Sequence, residues 1–232
     1  MIADEKPPIN ESPDLTNTDD TIVDLIKSCI ENAIIPFRKA RTKQYKNISL
    51  NENELTQILV HQIEPQIKKR RLDFLEVDKQ YYDTYFGTKG VSDFYFHISE
   101  ECIDHIPLYV VEAKRLPAPD NKNQREKEYV VGGENNGGIE RYKTKKHGKW
   151  LSKSGMIGFV EEDSFHDWLD KINGWIVDLS GANEFWYDDE TLIMKRDNVE
   201  YCYLLSIVHR TSRDNNMDLS HWWINLMGGV HP

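Results

Sequence analysis

The stretch LYVVEAKRL, residues 108–116, constrains the fold more than any other part of the chain. Its β-branched and aromatic opening is the longest apolar run among the strand-like segments. It reads as a strand buried on both faces, and therefore central in a sheet. Side chains alternate faces along a strand, so Val110, Glu112 and Lys114 share one side and Ala113 points away. An apolar face thus ends on two opposite charges. Each needs a partner or water, because an unpaired buried charge is costly.

The chain has 232 residues, enough for one large domain or two small ones, and it can bury a core without disulfides or a structural metal. Cys29, Cys102 and Cys202 stand far apart with no C-x-x-C pair. That argues against a zinc knuckle and a disulfide framework, and fits a reducing, cytoplasmic setting. The first twenty residues lack the apolar core of a signal peptide, and no run of about 18 apolar residues offers a membrane span. Residues 1–19 have the polar, acidic, proline-containing composition of a disordered tail. A single domain is expected over 20–232, with its core at about 51–178.

Helical spacing of Ile22, Ile26, Cys29, Ile30 and Ala33 predicts a first helix, with Pro36 expected to end it. A second helix is expected from Asn51, with Leu55, Ile58, Leu59 and Ile63 facing inward. LDFLEVDKQYY, VSDFYFHIS and HIPLYVVEAKRL read as three successive strands. A short helix should start at Gly138 or Ile139, and GMIGFVEE reads as a fourth strand. In SFHDWLDKINGWIVDL, Phe165, Trp168, Leu169, Ile172 and Trp175 form one helical face. The C-terminal third is β-rich. The fold class is therefore α/β: a mixed central sheet flanked by helices, with an α-β-β-β-α-β core and C-terminal strand additions.

Acid-x-lysine triplets also occur at Asp4-Glu5-Lys6 and Asp120-Asn121-Lys122, but only Glu112-Ala113-Lys114 closes an apolar strand. A second acid on the neighbouring strand makes the difference. Asp93 opens VSDFYFHIS, and antiparallel pairing of that strand with LYVVEAK brings Asp93 beside Glu112. Two carboxylates at one sheet edge repel unless a cation sits between them. Magnesium takes oxygen ligands, commonly one or two carboxylates with waters and a substrate phosphate. A neighbouring lysine can position the attacking water and offset charge on the phosphate. This set of parts suits phosphodiester hydrolysis.

Asp93 with Glu112-Ala113-Lys114 resembles the signature of the PD-(D/E)xK nuclease superfamily, the restriction-endonuclease-like fold, with Ser92 where that pattern often has proline. The family core has the same α-β-β-β-α-β order. The resemblance implies that Asp93, Glu112 and the Ala113 carbonyl hold Mg2+ or Mn2+, and that Lys114 serves the attacking water. It also implies a further acid on the helix before the sheet, for which Glu54 is the candidate. Asn51-x-x-Glu54 equally fits a capping box, in which Glu54 folds back on the helix start. Glu140, Arg141 and Tyr142 are candidates for a polar residue facing the site from the next helix, with Arg141 foremost as a phosphate contact.

Charge distribution adds a nucleic-acid reading. The net charge is −10, yet residues 114–153 hold eleven Lys and Arg against five Asp and Glu, while 160–200 hold three against twelve. Arg141, Lys143, Lys145 and Lys146 can track a phosphate backbone, or they can be a solvated helix face whose cations suit its C-terminus. The expected partner is DNA, with sequence choice supplied by a partner subunit or an oligomer, and no membrane. Restriction or antiviral defence is implied by the resemblance alone. A non-catalytic nucleic-acid-binding or assembly subunit on the same fold is the alternative. Ser206, His209, Arg210 and His221 receive no role. Of Trp222 and Trp223, one is expected in the core and the other free to stack on a base or a partner.

Overall fold

The computed structural model describes residues 20–46, 48–82, 90–100, 105–119, 126–210 and 216–227. The expected disordered tail over 1–19, the 120–122 triplet and Cys102 lie outside these residues. The described elements are α1 (Asp20–Gln44), α2 (Glu52–Lys69), β1 (Leu75–Tyr82), β2 (Val91–Ile98), β3 (Pro107–Leu116), α3 (Gly138–Lys143), β4 (Lys153–Val160), α4 (Phe165–Ala182), β5 (Ile193–Asp197), β6 (Tyr201–His209) and β7 (Asn216–Asn225). Short 3-10 turns cover Glu126–Tyr129 and Asp188–Glu190.

The strands form one seven-stranded sheet in the order β1-β2-β3-β4-β7-β6-β5. β1, β2 and β3 pair antiparallel, β4 lies parallel between β3 and β7, and β7, β6 and β5 pair antiparallel again. The fold is thus α/β, a mixed sheet with helices on its faces. The C-terminal strands extend the same sheet, and β3 is interior as its apolar run requires.

Strand alternation sorts the core into two layers. Phe94, Phe96, Val111, Ala113, Ile157, Phe159 and Trp222 pack with α1 and α2, whereas Tyr95, Val110, Met156, Val160 and Trp223 pack with Trp168, Ile172 and Ile176 of α4. Trp222 and Trp223 do point to opposite faces, but both are fully buried. The expectation that one of them is free to stack on a base or partner is therefore corrected: a helix layer covers each face.

Pro36 also departs from expectation. It lies inside α1, which runs 25 residues from Asp20 to Gln44. Ala33, Ile34 and Phe37 around it are fully buried, and Arg38 Nε donates to the Asn225 carbonyl at 2.8 Å. Burial on both sides of the proline outweighs the one helical hydrogen bond it removes.

The polar residues of the last strands have structural places. Trp223 Nε1 donates to the Tyr129 hydroxyl at 2.9 Å, which meets His221 Nδ1 at 2.9 Å, and His221 Nε2 meets Ser206 Oγ at 2.9 Å. Burial pushes the His221 imidazole down to about 3, so it is neutral there, as this donor-to-acceptor chain requires. His209 bridges Asn216 and Asp189, and Arg210 donates to the carbonyls of Lys149 and Gly148.

Candidate active site

The β2–β3 register sets Phe94 opposite Val111, so Asp93 and Glu112 meet across the adjacent strand ends. Asp93 Oδ2 accepts from the Ala113 amide at 2.7 Å. Asp93, Glu112 and Lys114 share the parity of Tyr95 and Val110, which puts all three on the face that α3 approaches.

Glu112 is 0% exposed and is the hub of the site. One carboxylate oxygen accepts from Lys114 Nζ at 2.7 Å and Arg141 at 2.5 Å, and the other faces His147 Nε2 at 2.9 Å. Lys114 Nζ also donates to Glu52 at 3.0 Å and to the Ala113 carbonyl at 2.8 Å. Glu52 closes the ring by accepting from the Arg115 amide at 3.2 Å.

Glu54 does not join this group. Its side chain accepts from the Asn51 amide at 2.7 Å while Asn51 accepts from the Glu54 amide at 3.0 Å, the reciprocal pair of a capping box. The acid that α2 supplies is Glu52, at its first position. Because the cap occupies Glu54, Glu52 is the other acid left in that turn, and the spacing carried this signal. His147 gave no comparable signal, since it lies beyond the end of α3 and reaches Glu112 through a tight turn. Gly90 makes room for that turn: a Cβ there would stand 2.0 Å from the Lys146 carbonyl.

The start of α3 is fixed by a glycine and an acid. A Cβ on Gly137 would lie 2.2 Å from the Val131 Cα, and Glu140 accepts from the amides of Gly132 and Gly137. Arg141 then points at Glu112, with about a quarter of its side chain exposed. Of the three lysines read as phosphate contacts, Lys143 requires correction. It is 1% exposed, pairs with Glu190 and donates to the His209 carbonyl at 2.8 Å, so it has no surface for DNA. Lys146 donates to Glu134 and Asn136, pinning the preceding loop. Lys145 is half-buried at a φ of 60°, where the chain leaves the helix. Tyr142 is buried and donates to the Gly155 carbonyl at 2.7 Å.

The charges are uneven. Burial alone would raise the Glu112 carboxyl, but Lys114, His147 and Arg141 outweigh it and hold it far below the usual carboxylate range. Burial and then the neighbouring Glu112 charge push Asp93 well up. Burial likewise raises Glu52, against the pull of Lys114. Burial would lower the Lys114 amine, yet Glu112, Glu52 and Asp93 raise it, so it stays protonated.

The site offers oxygen donors, the ligand class of hard divalent cations, although the oxygens of its three carboxylates do not all lie within 4.8 Å of one another. Asp93, Glu112 and Glu52 are all oxygen donors, and the Ala113 carbonyl faces the same space, marked by its bond from Lys114. Asp93 is raised first by its burial and then by the Glu112 charge beside it, against the pull of Lys114. Ser92, in the motif's proline position, is buried with its hydroxyl unpartnered.

No family model, no curated protein and no solved structure matches the chain. Among the described residues, no helix is long and apolar enough to cross a membrane.

Proposed function

We propose that the protein is a metal-dependent endonuclease that hydrolyses DNA phosphodiester bonds and acts in restriction or antiviral defence in the cytoplasm. The supporting observation is the convergence of Asp93, Glu112 and Lys114 on one face at the paired ends of β2 and β3, with Glu52 reaching Lys114 from the start of α2. In this reading the chain is a member of the PD-(D/E)xK superfamily.

Asp93, Glu112 and the Ala113 carbonyl would hold Mg2+ or Mn2+, with Glu52 rather than Glu54 as the further acid. When bound, such an ion would supply Lewis-acid polarisation of the phosphate and of a water. Lys114, kept protonated by three carboxylates, donates to the attacking water and offsets charge on the phosphate; it does not take the proton. With Asp93 and Glu52 engaged as ligands, the proton of the attacking water would pass to solvent water. Arg141 leaves Glu112 for a phosphate oxygen when DNA and metal arrive. Sequence choice comes from a partner subunit or an oligomer.

The test is cleavage of plasmid and single-stranded DNA with Mg2+ or Mn2+, comparing the wild type with Lys114→Ala. Metal-dependent cutting that drops by about a thousandfold in the variant is expected. Equal cutting by both would overturn the assignment. A non-catalytic DNA-binding subunit would bind DNA without any need for metal and cut nothing.

A further inference from the structure

A second group of metal-binding side chains lies at the opposite end of the same strands. Asp78 of β1, His97 of β2 and His105, just before β3, bring one donor atom each to within 4.8 Å of one another. His97 is four residues along β2 from Asp93, a separation of about 13 Å on an extended strand. The two groups are therefore distinct.

The His97 ring is fully buried, with Nδ1 3.1 Å from the Ile98 carbonyl. A carbonyl only accepts, so Nδ1 carries the proton, and in a neutral ring Nε2 is then a lone pair. That lone pair faces Asp78 Oδ2 at 3.1 Å. Two such atoms at this distance need a cation between them, either a proton or a metal ion. A histidine fixed through Nδ1 to a backbone carbonyl is also the usual arrangement of a metal ligand, since that bond sets the tautomer and the ring orientation.

His105 supplies the third donor: its Nδ1 is 3.9 Å from the same Asp78 oxygen. Its ring stacks on His97 at 3.9 Å between centroids. It is about 41% exposed, so it is free to turn toward a shared ion. Ligand atoms about 2.1 Å from a tetrahedral ion are about 3.4 Å apart, close to both separations. The ladder between β2 and β3 shifts register between Phe96 and His97, a bulge of the kind that re-aims a side chain. The Asp78 side chain is about half exposed, which leaves the group open to solvent.

We propose that Asp78, His97 and His105 form a site for a divalent transition-metal ion, zinc by preference, separate from the nuclease centre. Two imidazoles and one carboxylate select zinc, cobalt or nickel over magnesium. The ion ties β1, β2 and the segment entering β3, and three protein ligands leave one coordination position open for water or an acidic group.

The experiment is titration of the purified full chain with Zn2+ against a chromophoric chelator, with Co2+ absorption as a second readout. The wild type, His105→Ala, Asp78→Asn and Asp93→Asn are compared. His105 and Asp78 are both solvent-accessible, so their variants are expected to fold. One zinc per chain is expected, with affinity falling roughly tenfold or more in His105→Ala and Asp78→Asn and unchanged in Asp93→Asn. A zinc-induced rise in melting temperature should be lost in the same two variants. No zinc binding by the wild type would overturn the site and leave a proton as the cation between His97 and Asp78. Equal binding by all four chains would overturn it too. Loss only in Asp93→Asn would assign the zinc to the nuclease centre instead.

Discussion

Arg141 and Lys143 stand two residues apart on α3 and enter two different charge clusters. Lys143 meets a closed set. Glu190 takes its amine together with the amides of His209 and Tyr187, and the rings of Phe185, Trp186 and Tyr187 surround it at about 5 Å from its nitrogen. Every polar atom has a partner. Arg141 meets an open set in which two cations and the His147 ring crowd one carboxylate, Glu112, while burial and the Glu112 charge push Asp93 beside it toward its neutral form. The first cluster is matched and serves the fold. In the proposed reading, the second is matched only when a further cation arrives.

Breaking the closed set should have the largest effect on stability. Glu190→Ala leaves Lys143 charged and unpaired in the core, with an expected loss of about 3–5 kcal/mol in denaturant unfolding. A loss below about 1 kcal/mol would show that Lys143 reaches water and that the two clusters differ less than their burial indicates.

The two glutamates of the α2 start separate site from scaffold. Glu52→Gln should reduce metal-dependent cleavage by about tenfold to a hundredfold with little change in melting. Glu54→Ala should do the reverse, costing about 1 kcal/mol through the lost cap and leaving cleavage intact. An exchange of these outcomes would return the metal role to Glu54.

Asp93→Asn sharpens the comparison with the smallest effect and an unusual sign. The folded pKa of Asp93 is raised, so the metal-free fold binds its proton more tightly than the unfolded chain does. Stability from this group is complete below its unfolded value of about 3.9 and is lost as pH rises toward the folded value. Asparagine removes that loss and can still accept from the Ala113 amide. In chelator, the variant should therefore be more stable at neutral pH, with the gain vanishing near about pH 4. Glu112 titrates the other way: its pairs stabilise above about pH 4.3 and weaken as pH falls below it. Thermal melts of both chains across pH separate the two effects.

Much of this was legible in the sequence because it depends on period and spacing. The apolar run at 108–111 placed β3 inside the sheet, and two-residue alternation put Glu112 and Lys114 on one face. The antiparallel β2–β3 pairing then brought Asp93 to them. What escaped depends on contacts distant in sequence. Lys143 looks like one more surface cation beside Lys145 and Lys146, and nothing local reveals that Glu190 waits 47 residues away. His147 reaches Glu112 through a turn that no periodicity marks. Pro36 reads as a helix stop until the burial of Phe37 is known. Glu52 was within reach, since recognising the Asn51–Glu54 cap assigns Glu54 and leaves its neighbour.

The most direct test combines folding with chemistry in Asp93→Asn. Melting in chelator and plasmid cleavage with Mg2+ or Mn2+ are measured on the same preparations of wild type and variant. If the β2–β3 end is a cation site that cuts DNA, the variant melts at or above the wild-type temperature and makes no metal-dependent cut. A variant that cuts at the wild-type rate, or a wild type that cuts equally well in chelator, would contradict that assignment.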